Sequence, residues 1–159
     1  MNEQDLVAPC GDYCGGCAQY NGLAVALAEH LRALADLYGF EFRARGSFDF
    51  GEFLKGLDWF ITHAACPGCR DGGGPAWCQV KGCSAEKGLL LCSDCDEFPC
   101  SKLDEVADPD TMERYHRFRE LGSPAWIDEQ AHRAEQGYEI HLRKVIPLRR
   151  NGPYHSQGT

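Results

Sequence analysis

The sequence predicts a mainly α-helical fold with an irregular, metal-stabilised cysteine-rich segment, in a single compact domain. Three observations predict it. Apolar residues recur at helical spacing on both sides of the middle of the chain, ten cysteines lie between positions 10 and 100, and glycines and prolines crowd the region between the helices. One apolar run before Cys92, "LLL", is a candidate short strand, so a small α+β arrangement stays open.

The first two helices are predicted from periodicity and end signals. Leucines at steps of three and four from Leu23 predict a helix that ends at Gly39. Asp49 is a good N-cap for a second helix that runs through "FGEFLKGLDWFITHAA". Within the cysteine-rich segment, only one short turn of helix is predicted, capped by Ser84 and stopped by Gly88.

Two further helices follow the cysteine-rich segment. Asp108-Pro109 and Ser123-Pro124 each combine a capping residue with proline at the first helical position, and the helices they start are predicted to end at Gly122 and Gly137. The sequence thus divides into three parts. Residues 1–103 are predicted to form a cysteine-rich metal-binding domain, with two helices inserted between its cysteine arrays. Residues 104–146 are predicted to form a C-terminal helical extension packed on that domain, and residues 147–159 a disordered tail.

The composition of the chain indicates its cellular compartment and excludes some classes of partner. The chain starts without a basic, apolar leader, and its most apolar stretch is too short and too charged to span a bilayer. We therefore predict a cytoplasmic protein with no membrane contact, in which cysteines are metal ligands before they are disulfides. Two zinc ions, each held by four thiolates, would bring the net charge from −8 to −12. Such a charge repels phosphate backbones, so nucleic acid is disfavoured as a partner.

The cysteine spacing is typical of metal sites. Three C-x-x-C units are present, and two residues between thiolates let one backbone turn aim both sulfurs at one ion. The predicted metal ligands are all ten cysteines: Cys10, Cys14, Cys17, Cys66, Cys69, Cys78, Cys83, Cys92, Cys95 and Cys100. Two zinc ions are the predicted cofactor, bound in closed sites that stabilise the fold.

The spacing leaves two divisions of these ligands open. In one, Cys66, Cys69, Cys78 and Cys83 close a local site, and Cys92 and Cys95 join Cys14 and Cys17 in a second. In the other, the pair Cys66 and Cys69 joins the pair Cys92 and Cys95 in a ribbon-like site. The spacing does not choose between them.

The alternative cofactor is an iron–sulfur cluster. The stretch "PCGDYCGGC" holds a C-x3-C-x2-C array, which can bind three irons of a four-iron cluster in radical enzymes that use S-adenosylmethionine. Those enzymes need a large α/β scaffold, and no βα alternation is visible here. Bacterial ferredoxins use a different spacing. A cluster for electron transfer, or a redox thiol at Cys10 or Cys100, remains the alternative to zinc.

The motifs resemble those of a known family. They are C-G-x-x-C-x-x-C near the start, C-x-G-C-R followed by glycines, W-C-x-x-x-x-C, and E-K-G-x-x-x-C-x-x-C-x-x-F-P-C. Together they resemble the small bacterial and archaeal proteins grouped as domain of unknown function 3795, over roughly Cys10 to Leu103. All ten cysteines fall on motif positions. The resemblance implies zinc binding and brings no activity, substrate or partner.

Other residues receive structural predictions. His63 is predicted to end its helix, and His116, His132 and His141 to be surface or core residues. The run Gly72–Gly74 lacks the Lys-Ser/Thr of a phosphate loop, so it is predicted to let backbone approach a metal loop. With no nucleophile–base pair visible, we predict a protein-interaction module rather than an enzyme.

Overall fold

The computed structural model describes residues 3–146, and their fold is mainly helical with one small sheet. The helices are α1 Leu23–Leu37, α2 Phe40–Arg43, α3 Phe50–His63, α4 Gln79–Glu86, α5 Ser101–Asp104, α6 Thr111–Leu121 and α7 Ser123–Glu135. Short 3-10 turns occur at Glu3–Leu6, Cys14–Gly16 and Cys92–Asp94. Strands β1 Tyr138–Glu139 and β2 Lys144–Val145 pair antiparallel, with Tyr138 opposite Val145. The predicted fold class is confirmed, and the tail predicted over 147–159 lies outside the described residues.

The described residues form two compact units. The helical unit consists of residues 18–66, and the cysteine-rich unit consists of residues 3–17 and 67–146. Within residues 3–146, the helices lack the combination of length and apolar character that crossing a bilayer requires.

The helical unit is a pair of packed helices, α1 and α3. Small side chains at Ala28 and Ala35 are buried on α1, and Leu57 is buried on α3. The predicted ends are confirmed. The helix α1 stops before Gly39, whose φ of +58° favours glycine, and the Asp49 side chain accepts the first-turn backbone N–H of α3 at 3.0 Å.

The cysteine-rich unit has an aromatic core. Trp126 on α7 is 1% exposed and makes edge contacts with Tyr13 and Phe118, at ring-centroid distances of 6.2 and 5.3 Å. Tyr115 on α6 packs edge-on against Phe98 at 5.2 Å. The other buried members of this core are Val7, Val80, Leu91, Cys92, Leu103 and Ile127. Residues from both sides of position 104 therefore share one core, and whether 104–146 is a separable extension stays a prediction.

Two helix starts differ from the prediction. The helix α4 begins at Gln79, and Ser84 is buried inside it instead of capping it. The helix α6 begins at Thr111, because Asp108 first forms a turn in which its side chain accepts the Asp110 N–H at 2.8 Å. By contrast, α7 starts within one residue of the prediction: Gly122 occupies the cap position, Ser123 is already helical, and proline lies in the first turn. It ends before Gly137, as predicted.

The strand expected before Cys92 does not form. The Leu91 backbone N–H donates to the Asp94 side chain at 3.1 Å, which turns the chain into the 3-10 turn at Cys92–Asp94 instead of extending it. The side chain of Leu91 is fully buried in the core.

Candidate metal centre

A small pocket in the cysteine-rich unit is lined by four cysteines from three neighbouring elements. Its cysteines, which we call the four-cysteine group, are Cys83, Cys92, Cys95 and Cys100. Cys83 lies on α4, Cys92 and Cys95 are the ends of a C-x-x-C turn, and Cys100 precedes α5. The free volume of about 10 Å³ is the size needed by a single small occupant.

In both C-x-x-C motifs of this unit, a backbone hydrogen bond joins the two cysteines. The Cys95 N–H donates to the Cys92 carbonyl at 3.2 Å, and the Cys17 N–H donates to the Cys14 carbonyl at 2.9 Å. Turns of this kind let two sulfurs share one ion.

Two lysines contribute positive charge to the four-cysteine group. Lys102 Nζ donates to Cys83 Sγ at 3.3 Å, and Lys87 Nζ donates to Cys95 Sγ at 3.1 Å. The bond to Cys83 raises the pKa of Lys102, which keeps it charged. A zinc ion with four thiolates carries −2, so the two ammonium groups balance it.

The thiols of the group need a cation in order to ionise together. Burial raises the pKa of Cys92, and the neighbouring thiolates of Cys100, Cys83 and Cys95 raise it further. A divalent ion removes that repulsion because thiolates, not thiols, are its ligands. The four sulfur donors are of the type that zinc prefers. Within residues 3–146, no three of these sulfurs lie within 4.8 Å of one another, so a shared ion would require the side chains to move together.

Cys14, the middle cysteine of the first array (Cys10, Cys14 and Cys17), has a partner in the loop after position 66. Hydrogen bonds from Cys69 lower the pKa of the Cys14 thiol to about 7. Gly74 lies against this pair, because a Cβ at that position would come within 3.1 Å of Cys69 Sγ. The close backbone approach predicted for the glycine run is present at this glycine.

Cys10 lies near Cys78. Burial and then the Asp12 carboxylate raise the pKa of Cys10, and the Cys78 thiolate adds to the shift. The neighbouring Pro9 carbonyl accepts the Cys92 N–H at 2.8 Å and the Tyr115 hydroxyl at 3.2 Å. This carbonyl ties the first array to the four-cysteine group.

Cys17 belongs to a different group of donors. The ligand atoms of Cys17, Glu139 and His141 all lie within 4.8 Å of one another. A hydrogen bond with Cys17 raises the pKa of His141 to about 9, with the Asp12 and Glu139 carboxylates contributing. Glu139 is buried, whereas His141 is exposed.

The placement of the ten predicted ligands differs from both divisions that the spacing allows. All ten lie within residues 3–146, and none of them forms a disulfide. Cys83 lines the pocket of Cys92, Cys95 and Cys100 instead of closing a local site with Cys66, Cys69 and Cys78. The reason is local: α4 extends through Cys83 and places it on the side of Cys92. Cys66 ends the helical unit, where its N–H donates to the Gln19 carbonyl at 3.2 Å.

Several residues at these groups escaped the sequence analysis. Glu139 and His141 form an E-x-H pair, in which Glu139 ends β1 and His141 lies in the turn that follows, and this spacing of two possible ligands is the signal present in the sequence. His141 is an exposed residue, as predicted, and it lies beside Cys17 and Glu139. Lys87 follows Cys83 by one helical turn, and Lys102 follows Cys100 by two residues, but lysines near cysteines are too common to single out.

His63 behaves as predicted. Its Nδ1 lies 3.1 Å from the Trp59 carbonyl of the preceding turn, and its ring stacks on the Trp59 indole at 5.2 Å. Of the three tryptophans in the sequence, Trp126 is buried, while Trp59 and Trp77 are exposed.

Comparison with known proteins gives one family. The sequence model of the family described as "Protein of unknown function (DUF3795)" matches residues 6–105, which is more than half of the 159 residues. No curated protein and no solved structure matches the chain. The matched range contains all ten cysteines and both lysines of the four-cysteine group, and it ends before Glu139 and His141.

Proposed function

This chain belongs to the family described as "Protein of unknown function (DUF3795)", and we propose that it is a zinc-stabilised cytoplasmic module that binds a protein partner. The observation that carries the zinc proposal is the four-cysteine group with its two lysine donors. Four thiolates close the coordination shell of zinc and leave no position for an activated water. The ion at this group therefore has a structural role.

The energetic weight of such an ion is large. A structural zinc site contributes on the order of 10–16 kcal/mol of apparent binding free energy, against about 5–15 kcal/mol of net stability for an ordinary domain. The segment around the four-cysteine group has short helices of four and eight residues. Helices of that length are marginal without tertiary support, which favours metal as the stabilising element.

The zinc proposal is tested by metal analysis of the full chain. Protein purified without oxygen is analysed for zinc and iron, and compared with Cys92→Ala and with Ser101→Ala as a control beside the same group. We expect zinc in the wild type and in Ser101→Ala, and one ion fewer in Cys92→Ala. Iron with visible absorption would instead establish the iron–sulfur alternative.

The proposed protein partner is supported by the surface of the helical unit. Its large apolar side chains that stay exposed are Leu27, Leu31, Leu37, Tyr38, Phe42, Phe48, Trp59 and Phe60. Exposed apolar groups on this scale are typical of protein contacts. Aromatic side chains are also enriched at interfaces, where they contribute much of the binding energy.

The partner proposal is tested by substitution on α1 and α3. The double variant Leu27→Glu/Phe60→Glu and the wild type are each cross-linked to proteins of the source cells, and the cross-linked proteins are quantified. Lys55→Glu is the control for added negative charge. We expect specific cross-linked proteins that the control keeps and the double variant loses, at unchanged zinc content and helicity. The same cross-linked proteins with all three chains would contradict the proposal.

A further inference from the structure

We propose that Cys17, Glu139 and His141 form a separate binding site for one divalent transition-metal ion such as Zn²⁺. The ligand atoms of these residues lie within 4.8 Å of one another, so one ion can reach all three after small side-chain adjustments. The site involves none of the residues of the four-cysteine group, and it stands or falls independently of the proposed function.

The backbone holds the two halves of this site together. Cys17 directly follows the 3-10 turn at Cys14–Gly16, and the Ile140 N–H donates to the Gly16 carbonyl at 3.2 Å. Ile140 lies between Glu139 and His141 and is itself buried. One backbone hydrogen bond and one buried side chain thus fix the E-x-H pair beside the cysteine.

Neighbouring groups orient the donors. The Leu142 N–H donates to Glu139 Oε2 at 2.7 Å, which fixes the rotation of that carboxylate. The Asp12 carboxylate lies 4.0 Å from His141 Nδ1. That distance is too long for a hydrogen bond, so Asp12 acts on the imidazole through its negative charge.

Asp12 is in turn part of an ion network. It lies 3.0 Å from Arg114, which lies 2.8 Å from Asp108, and Asp108 lies 2.8 Å from Arg143. Arg143 sits in the same turn as His141 and has a positive φ of 51°. The network therefore anchors the turn that carries the histidine to the loop that carries the cysteine.

The donor set defines the class of ion. Thiolate, imidazole and carboxylate together suit zinc and its first-row neighbours, whereas Mg²⁺ and Ca²⁺ prefer all-oxygen sites. His141 is exposed, with 59% of its side chain accessible, so an ion here is open to solvent on one side. We expect it to exchange faster than an ion enclosed by four sulfurs.

The experiment measures the number of ions and the rate of their release in the full chain. Wild type, Cys17→Ser, Glu139→Gln and His141→Asn are loaded with Zn²⁺, dialysed and analysed, and release to a chromophoric chelator is followed with time. His132→Asn is the matched control, because His132 is an exposed histidine on α7 outside the group. Replacing exposed His141 leaves the core intact, which keeps the test valid if Cys17→Ser fails to fold.

We expect a fast release phase of one ion per chain in the wild type and in His132→Asn, and its loss in His141→Asn and Glu139→Gln. The slow release phase, which we expect from an ion enclosed by four sulfurs, should remain in all four of these chains. With Co²⁺ in place of Zn²⁺, the wild-type minus His141→Asn difference spectrum should show a site with mixed sulfur and nitrogen or oxygen donors. Equal ion numbers in the wild type and His141→Asn, or an equal loss in His132→Asn, would overturn the proposal. A loss of ions in Cys92→Ala with none in His141→Asn would likewise overturn it.

Discussion

Lys102 donates a hydrogen bond from Nζ to Cys83 Sγ across 3.3 Å, although the two residues are 19 positions apart. The bond joins the start of α5 to α4 and places a positive charge at a predicted metal ligand. Together with Lys87 at Cys95, it offsets the charge that four thiolates would leave on a zinc site. The two lysines stabilise negative charge at this pocket, whereas burial and the repulsion among the sulfurs oppose the ionisation of Cys92.

Lys102→Met should weaken zinc binding at the four-cysteine group. The variant keeps the length and apolar stem of the side chain but removes the donor to Cys83, and outer-shell changes of this kind typically cost about 10–100-fold in metal affinity. Because Lys102 is only partly buried, we expect about 10-fold, measured by competition with a chelator. Lys55→Met, which removes an exposed lysine paired with Glu52 in the helical unit, is the control. Equal affinities in the two variants would show that the Lys102 bond has no role.

Removal of metal should unfold the region around the four-cysteine group before the helices of the helical unit. Hydrogen exchange followed by mass spectrometry checks this before and after treatment with chelator. We expect loss of protection in α4, α5 and the turn at Cys92–Asp94, because these elements are short and share the pocket. Protection that is unchanged across this region after all metal is removed would mean that the apolar core suffices.

The helices with local signals were predictable from the sequence. The leucine spacing and Gly39 defined α1, Asp49 defined the start of α3, and Ser123-Pro124 defined α7, because each signal acts within one turn. The predicted start of α6 was wrong because the Asp108 side chain can cap either a helix or a turn. It capped a turn before the helix rather than the helix itself, and its ion pairs with Arg114 and Arg143 come from contacts that spacing does not encode.

The cysteines could be identified from the sequence as predicted metal ligands, but which of them lie together in the fold could not. Spacing defines which cysteines share a backbone turn, such as Cys92 and Cys95, since that geometry is local. Which turns meet depends on the length of α4, which was predicted too short and which places Cys83. The E-x-H pair was missed for a similar reason, because nothing near Glu139 in the sequence points to a cysteine more than a hundred residues earlier.

Asp108→Asn should lower stability in a pH-dependent way. Burial raises the pKa of Asp108, but hydrogen bonds from Arg114 and the Asp110 N–H outweigh burial, so that the pKa is lowered overall. A carboxyl whose pKa is lower in the folded state stabilises the fold above its unfolded pKa, near ~4, and loses that contribution as pH falls. At pH 7 we expect a loss of about 2–3 kcal/mol, because two arginines lose a shared partner.

Urea unfolding of wild type and Asp108→Asn between pH 7 and pH 3 checks this prediction. The gap between the two proteins should narrow below about pH 4, and Asp104→Asn, an exposed carboxylate on α5, should change stability by less than about 0.5 kcal/mol. Acid would release a thiolate-bound metal from both proteins alike, so the difference between them is the quantity that reports on Asp108. A gap that stays constant with pH would contradict the role assigned to the Asp108 charge.

Gly74→Ala and Gly72→Ala separate backbone strain from a direct effect on a metal ligand. Both glycines have positive φ, +74° and +84°, so alanine at either costs about 1–2 kcal/mol of conformational energy. Only at Gly74 would the new Cβ meet Cys69 Sγ, at 3.1 Å, whereas at Gly72 nothing lies within 4 Å. We therefore expect similar losses of stability, with metal affinity about 10-fold lower for Gly74→Ala alone. Chelator competition and urea unfolding of the two variants measure both quantities. If Gly72→Ala lowers metal affinity as much as Gly74→Ala does, strain in the glycine run accounts for the effect. The position of Cys69 Sγ would then have no separate effect on metal binding.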